Sequence, residues 1–257
     1  MSDTTELITL IAVGGIAYYI LHSGMLDSLF SGGGGVGGSV IWDSNIHGKW
    51  NNGKKRDVTG KEGNQSPDGK GFYTAASGNP HLVIDGDGIA HLKAGSGHGR
   101  IYINAINFNS RLELEFRFES SAVDNLSIKV RSRHGEGGSC ENRFGGFGTH
   151  VERNRAGFKT EICHNNHENS IEKDLPFTIK DNQWYKLVYE CKNSSDNKQV
   201  LFKLQINGQT VLTGKHSSPK SYYMNKSLYD KQSYFWIRSN NSGSGSIGLR
   251  NVRMLKI

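Results

Sequence analysis

Ser110-Arg-Leu-Glu-Leu-Glu-Phe-Arg-Phe-Glu-Ser120 alternates apolar and charged residues without a break. A period of two belongs to a strand, because successive side chains leave opposite faces of the pleat. Leu112, Leu114, Phe116 and Phe118 therefore share a face that must be covered, while Arg111, Glu113, Glu115, Arg117 and Glu119 share the other. A sheet with one apolar face needs a second layer to bury it. The chain supplies the material, with 33 Gly against 4 Pro in 257 residues and few helical periodicities. These features predict an all-β sandwich, and a length of this order suits one large domain, here residues 40–257.

Further strands follow the same logic. His81 to Ile84 and Ile89 to Leu92 flank Asp85-Gly-Asp-Gly88, a hairpin signal, because Gly and Asp tolerate the positive φ of tight turns. Calcium is the alternative reading of this acidic turn, but two aspartates make no recognised motif, so no cofactor is expected. Strands are also predicted over 100–104, 125–133, 181–192, 200–206, 209–213, 234–238 and 246–257, with Asn207-Gly208 turning one of the hairpins.

The densest polar cluster lies in Gly146 to His167, which reads as two alternating strands joined at Asn154 to Gly157. With the turn centred on Arg155 and Ala156, His150 falls opposite Glu161 and Glu152 opposite Lys159. Thr149, Val151, Phe158, Thr160 and Ile162 then form the core face. The other face offers an acid/base and charge-pair set for a groove, and the competing reading is a solvated face with cross-strand ion pairs.

Leu7 to Leu21 is uncharged and almost wholly apolar, and a weaker stretch runs on to Phe30. A membrane helix needs roughly 20 apolar residues. The acidic opening, Asp3 and Glu6, is unlike a signal peptide, so residues 1–30 are expected to form an uncleaved hydrophobic anchor helix. Residues 31–39 are a Gly-rich linker. Sequons at Asn64, Asn125, Asn193, Asn225 and Asn240 place the β-domain outside the cytoplasm, on a cell surface or virion, as a glycoprotein.

The three acids of the first 40 residues stand with no Lys or Arg, so the net charge of +7 becomes +10 over the remainder. Such a surface attracts polyanions. No zinc-finger spacing or basic helical stripe is present, which leaves nucleic acid as the least favoured partner, while anionic lipid headgroups and acidic polysaccharide both stay open. Cys140, Cys163 and Cys191 allow one disulfide, for which Cys140 with Cys163 is the preferred pair. Cys163, His164 and His167 match no strong zinc pattern.

Trp184-Tyr-x-Leu-x-Tyr189, the hairpin Leu204-x-Ile-Asn-Gly-x-x-Val-Leu212 and Ile247-Gly-Leu-x-Asn-Val-Arg-Met254 resemble motifs of concanavalin A-like (laminin G-like) jelly rolls. The resemblance spans residues 40–257 and implies two curved antiparallel sheets, one lining a groove. It implies carbohydrate binding, as in lectins and adhesion domains, or polysaccharide cleavage, as in alginate-type lyases. Such lyases neutralise a uronate carboxylate and remove the neighbouring proton. The residues matched to that role are His150, Glu161 and Arg117 as catalytic groups, with Glu115, Glu152, Lys159 and His164 binding ligand. Glu113-x-Glu115-x-Arg117-x-Glu119 also resembles the paired carboxylates of sandwich glycosidases, without their Asp. Three readings stand: a membrane-anchored carbohydrate-binding protein, a polysaccharide lyase, and a structural component of an envelope or virion that packs against itself or other subunits.

Overall fold

The computed structural model describes residues 38–58, 81–93, 98–105, 107–122, 125–132, 146–161, 167–217, 224, 226–227, 234–240 and 245–257. All of them belong to the unit Gly38–Ile257. The anchor helix expected over residues 1–30 lies outside the described residues, as do Cys140, Cys163 and His164. Among the described residues no helix is long and apolar enough to cross a membrane.

The chain forms β1 (Val40–Asp43), β2 (Arg56–Asp57), β3 (His81–Ile84), β4 (Ala90–Lys93), β5 (His98–Asn104), β6 (Ser110–Phe118), β7 (Asn125–Ser132) and β8 (Gly146–Val151). It continues with β9 (Arg155–Glu161), β10 (His167–Asp174), β11 (Tyr185–Asn193), β12 (Val200–Ile206), β13 (Gln209–His216), β14 (Tyr234–Asn240) and β15 (Ser246–Lys256). These pair into a nine-stranded sheet, in the order β13-β12-β11-β6-β15-β4-β3-β2 with β1 also on β15, and a six-stranded sheet, β10-β9-β8-β7-β14-β5. Every strand pairing within the sheets is antiparallel.

β6 holds the centre of the larger sheet, between β11 and β15. Its Leu112, Leu114, Phe116 and Phe118 are buried, as the alternation requires, beside Tyr185, Leu187 and Tyr189 of β11 and Leu249 and Met254 of β15. A bulge between Arg250 and Arg253, with Asn251 at φ 51°, returns Val252 to the core. From the smaller sheet come Ile101, Ile103, Leu126, Ile128, Val130, Phe147, Val151, Phe158, Phe235 and Ile237. The two layers meet directly where Phe158 of β9 stacks on Phe202 of β12, with ring centroids 3.4 Å apart. Burying one such ring stabilises by about 1.5–3 kcal/mol.

Two elements depart from expectation. β10, His167–Asp174, is a strand that its run of polar residues did not announce. It lies at the edge of the six-stranded sheet, where a strand has only one neighbour and fewer apolar residues are demanded; Ile171 packs against the core. The hairpin of β8 and β9 turns at Arg153 and Asn154, not at Arg155 and Ala156, because the Glu152 amide donates to the Arg155 carbonyl. Ala156 instead packs in the core opposite Val151. Arg153 holds the turn down by ion pairing with Asp181 at 2.7 Å and bonding the Ser120 carbonyl at 3.1 Å.

Candidate ligand-binding face

The shifted turn moves the register but keeps the faces. Thr149, Val151, Phe158 and Thr160 point into the core, as their alternation predicts. His150, however, lies opposite Gly157, and Glu161 opposite Gly146, so His150 and Glu161 are four residues apart along the hairpin instead of paired. Glu152 stands beyond the end of β8 and pairs with Arg155 at 2.8 Å, not with Lys159. Lys159 faces Gly148 across the ladder.

Arg117 and Glu115 belong to β6 in the other sheet, on its outer face, which separates them from His150 by the whole sandwich core. There they join an ion-pair network. Arg117 bonds Glu119 at 3.0 Å and Arg250 bonds Glu115 at 2.6 Å, while both guanidinium groups stack on Trp184 at 4.7 and 4.2 Å. His91 is held between Glu119 at 2.8 Å and Asp85 at 3.3 Å. Asp85 Oδ1 also accepts the amides of Asp87 and Ile89, so the acidic hairpin turn spends its oxygens on itself and on His91. Burial alone would raise the Glu119 carboxyl, but bonds from His91 and Ser246, the His91 charge and Arg117 hold it down at about 2. The same bond to Glu119 raises His91.

The outer face of the six-stranded sheet is built differently. Cross-strand registers align two rows of outward residues. The first runs Glu172, Gly157, His150, Ser127, Arg238 and Arg100; the second runs Ser170, Lys159, Gly148, Lys129, Trp236 and Tyr102. Between them, on the inner side, Ile128, Ile237 and Ile101 pair in line and fix the spacing of the rows.

Glycines seat the long side chains. A Cβ at Gly157 would stand 2.1 Å from the His150 ring, and one at Gly148 would stand 2.9 Å from Lys129 Cγ. The imidazole thus lies on the backbone of β9, with Nε2 at 3.7 Å from Glu172, and the lysine stem lies on β8. Burial is the main reason the His150 pKa is lowered, against the opposing charges of Glu152 and Glu172.

Four cations gather on this face. The Lys129 ammonium lies 4.3 Å from the centre of the Trp236 ring and the Arg100 guanidinium 5.4 Å from it. Arg100 donates to the Tyr102 hydroxyl at 2.8 Å. Burial, then the charge of Arg100, brings Arg238 down to about 10. Burial, then Arg238, Arg100 and Lys159, lowers Lys129 well below the ordinary lysine value. Trp236 and Tyr102 are 2% and 1% exposed, so they form a floor, and the Trp236 indole N–H has no hydrogen-bond partner. The more accessible groups are Arg100, Arg238, Lys159 and His150.

Of these residues only His150 and Lys159 were singled out from the sequence. The signal for the others was present in Arg100-Ile-Tyr102, Ser127-Ile-Lys129 and Trp236-Ile-Arg238, three strand segments with one inward Ile between outward polar or aromatic groups. Cys191, by contrast, is a buried free thiol in the core.

No family model matches the chain, and no curated protein does. Among solved structures it is similar to a carbohydrate-binding module from Bacillus subtilis, at 15% identity over 71% of this chain and 95% of that one with a TM-score of 0.49. It is also similar to an endo-beta-1,4-glucuronan lyase from Trichoderma reesei, at 12% identity over 72% and 87% with a TM-score of 0.42. A legume lectin-like domain from Entamoeba histolytica gives 11% identity over 72% and 90%, with a TM-score of 0.46. At these identities and overlaps no residue's role passes from one chain to another.

Proposed function

We propose that this protein binds an acidic polysaccharide on the outer face of its six-stranded sheet. The observation that carries the reading is the gathering of Arg100, Lys129, Lys159 and Arg238 on one face around Trp236. Arg238 and Arg100 stand directly opposite each other on neighbouring strands, which sets two guanidinium groups side by side on this face. A carboxylate or sulfate accepts bidentate bonds from guanidinium groups of this kind. Retention of the full chain on immobilised polyuronate, and release by moderate salt, tests the reading. Equal retention on a neutral glucan would overturn it.

A second reading, polysaccharide lyase, is favoured by His150. Its imidazole is kept neutral by burial and lies in one row with Arg238 and Arg100, so a base and a carboxylate-neutralising pair share a face. In it, Arg238 and Arg100 hold the uronate carboxylate, His150 takes the C5 proton, and the electrons of that C–H bond form the C4=C5 double bond. The C4–O bond breaks with its electron pair on the oxygen, which leaves as an alcohol on receiving a proton from the His150 imidazolium. Unsaturated uronate absorbance that appears with the wild type and vanishes in His150→Gln decides between binding and cleavage. The membrane tether enters the same proposal: residues 1–30 anchor the domain and residues 31–39 space it from the bilayer. Recovery of the full chain with membranes, lost on deleting residues 1–39, checks that part.

A further inference from the structure

The turn that follows β1, Ser44 to Trp50, is held from several sides. Asp43 Oδ1 accepts the amides of Asn45 and Ile46 at 2.7 and 3.0 Å, and the Asp43 carbonyl accepts those of His47 and Gly48 at 2.9 and 3.2 Å. Trp50 is fully buried, with its ring edge-on to Trp42 at 6.1 Å, and its amide returns to the Ser44 carbonyl at 3.0 Å. The Arg56 guanidinium donates to the Gly48 and Lys49 carbonyls at 3.1 and 2.7 Å, which brings the segment of Lys54 and Lys55 against the turn. So fixed, the turn presents Ile46 at 59% exposure, the most exposed large hydrophobic among the described residues. Lys49, Lys54 and Lys55 are exposed as well, and among the described residues none of the three makes an ion pair. The acids at this end are Asp43, held by Arg253 at 3.5 Å, Asp85, held by His91 at 3.3 Å, and the exposed Asp57 and Asp87.

We propose that this turn docks the domain on an anionic lipid bilayer, with Ile46 at the boundary of headgroups and acyl chains and Lys49, Lys54 and Lys55 meeting the phosphates. Two properties choose lipid over a soluble polyanion. An aliphatic tip gains by leaving water, and a bilayer offers it an apolar phase where a polysaccharide offers hydroxyls. Cations beside that tip complement a negative leaflet, each strengthening attachment about fivefold. The arginines on the outer face of the nine-stranded sheet show the opposite pattern, since Arg111, Arg117 and Arg250 each sit against a carboxylate. The inference does not depend on the saccharide face. It extends the membrane reading, because β1, four residues long, joins residues 31–39 directly to this turn.

Tryptophan quenching in the full chain tests it. Ile46→Trp places a reporter at the tip, and the wild type, with its 4 tryptophans, supplies the baseline. The probes are vesicles of phosphatidylcholine brominated in its acyl chains, with and without phosphatidylglycerol. The expected result is that the added emission is quenched by the vesicles holding phosphatidylglycerol, is left intact by those without it, and returns in moderate salt. Lys49→Gln, Lys54→Gln and Lys55→Gln together weaken docking on the order of a hundredfold and remove the quenching. In the wild type, the same anionic vesicles slow amide hydrogen exchange across residues 44–56, which decides the matter even where a variant fails to fold. Quenching that is absent, equal in both kinds of vesicle, or unchanged by the lysine replacements overturns the inference. Flotation with pure phosphatidylcholine vesicles reports the tether separately. Flotation there without quenching in anionic vesicles removes the docking and leaves the tether standing; quenching with salt-sensitive flotation on anionic vesicles alone does the reverse.

Discussion

The two outer faces of the sandwich carry similar residue types and arrange them in opposite ways. On the nine-stranded sheet Arg111, Arg117, Arg250 and Arg253 each sit against a carboxylate, at 2.7, 3.0, 2.6 and 3.5 Å. On the six-stranded sheet Arg100, Lys129, Lys159 and Arg238 face one another. Charges that are paired within the sheet stabilise the fold and leave little for a ligand. Like charges gathered on one face repel one another and raise the local positive potential, and such clusters are common where functional sites are built.

The largest test of that contrast reverses charge on each face in turn. Arg100→Glu with Arg238→Glu should cost polyuronate binding on the order of a hundredfold. Arg117→Glu with Arg250→Glu should leave binding within about twofold and instead lower stability, since it sets like charges against Glu119 and Glu115 in partly buried ion pairs. Equal losses of binding in both double variants would erase the distinction between the faces.

Next comes Glu119→Gln, expected to cost about 1–3 kcal/mol in urea denaturation, because it strips a half-buried charge partner from His91 and Arg117. The pH dependence sharpens the point. With its carboxyl held at about 2, Glu119 contributes stability that is fully present above the ordinary 4.5 and lost as pH falls toward 2. His91, raised from 6.5, contributes stability that is fully present below 6.5 and lost as pH rises through its folded value. Wild type should therefore show its greatest advantage over the variant between about 4.5 and 6.5, and a flat difference across pH would remove His91 from the clasp.

On the opposite face Gly157→Ala should destabilise by about 1–3 kcal/mol, because the new methyl meets the imbedded His150 ring, and His150→Ala should largely rescue it. The double-mutant cycle measures that coupling. Smallest of all, Lys186→Ala on the exposed nine-stranded face should change stability by no more than about 0.5 kcal/mol and binding not at all.

Much of the fold could be read along the chain. The β6 alternation, the Asp85 to Gly88 turn and the Asn207-Gly208 turn are local signals, and local physics decides them. Face assignment in the β8–β9 hairpin was also legible, because sliding the turn by two residues preserves which side chains point inward. The register was not, since Ala156 and Gly157 resemble turn residues and reveal their strand roles only through Val151 and His150. The separation of Arg117 from His150 was beyond reach for a different reason: membership of one sheet or the other is settled by strand pairings far apart in sequence. Arg100, Lys129 and Arg238 likewise meet only when β5, β14 and β7 are laid side by side.

The line of Ile101, Ile237 and Ile128 beneath that face has a practical meaning. Each isoleucine secures its strand from below. Of the residues on either side, Tyr102, Lys129 and Trp236 are themselves buried, and Arg100, Ser127 and Arg238 are the ones that can be exchanged with less demand on the interior. Replacing the more accessible member on one strand at a time would turn the sheet into a graded series of receptors, cationic, neutral and anionic, on one chassis. Ligand preference in such a protein is then open to rewriting, by laboratory selection or by natural drift, at the partly accessible positions Arg100, Ser127 and Arg238.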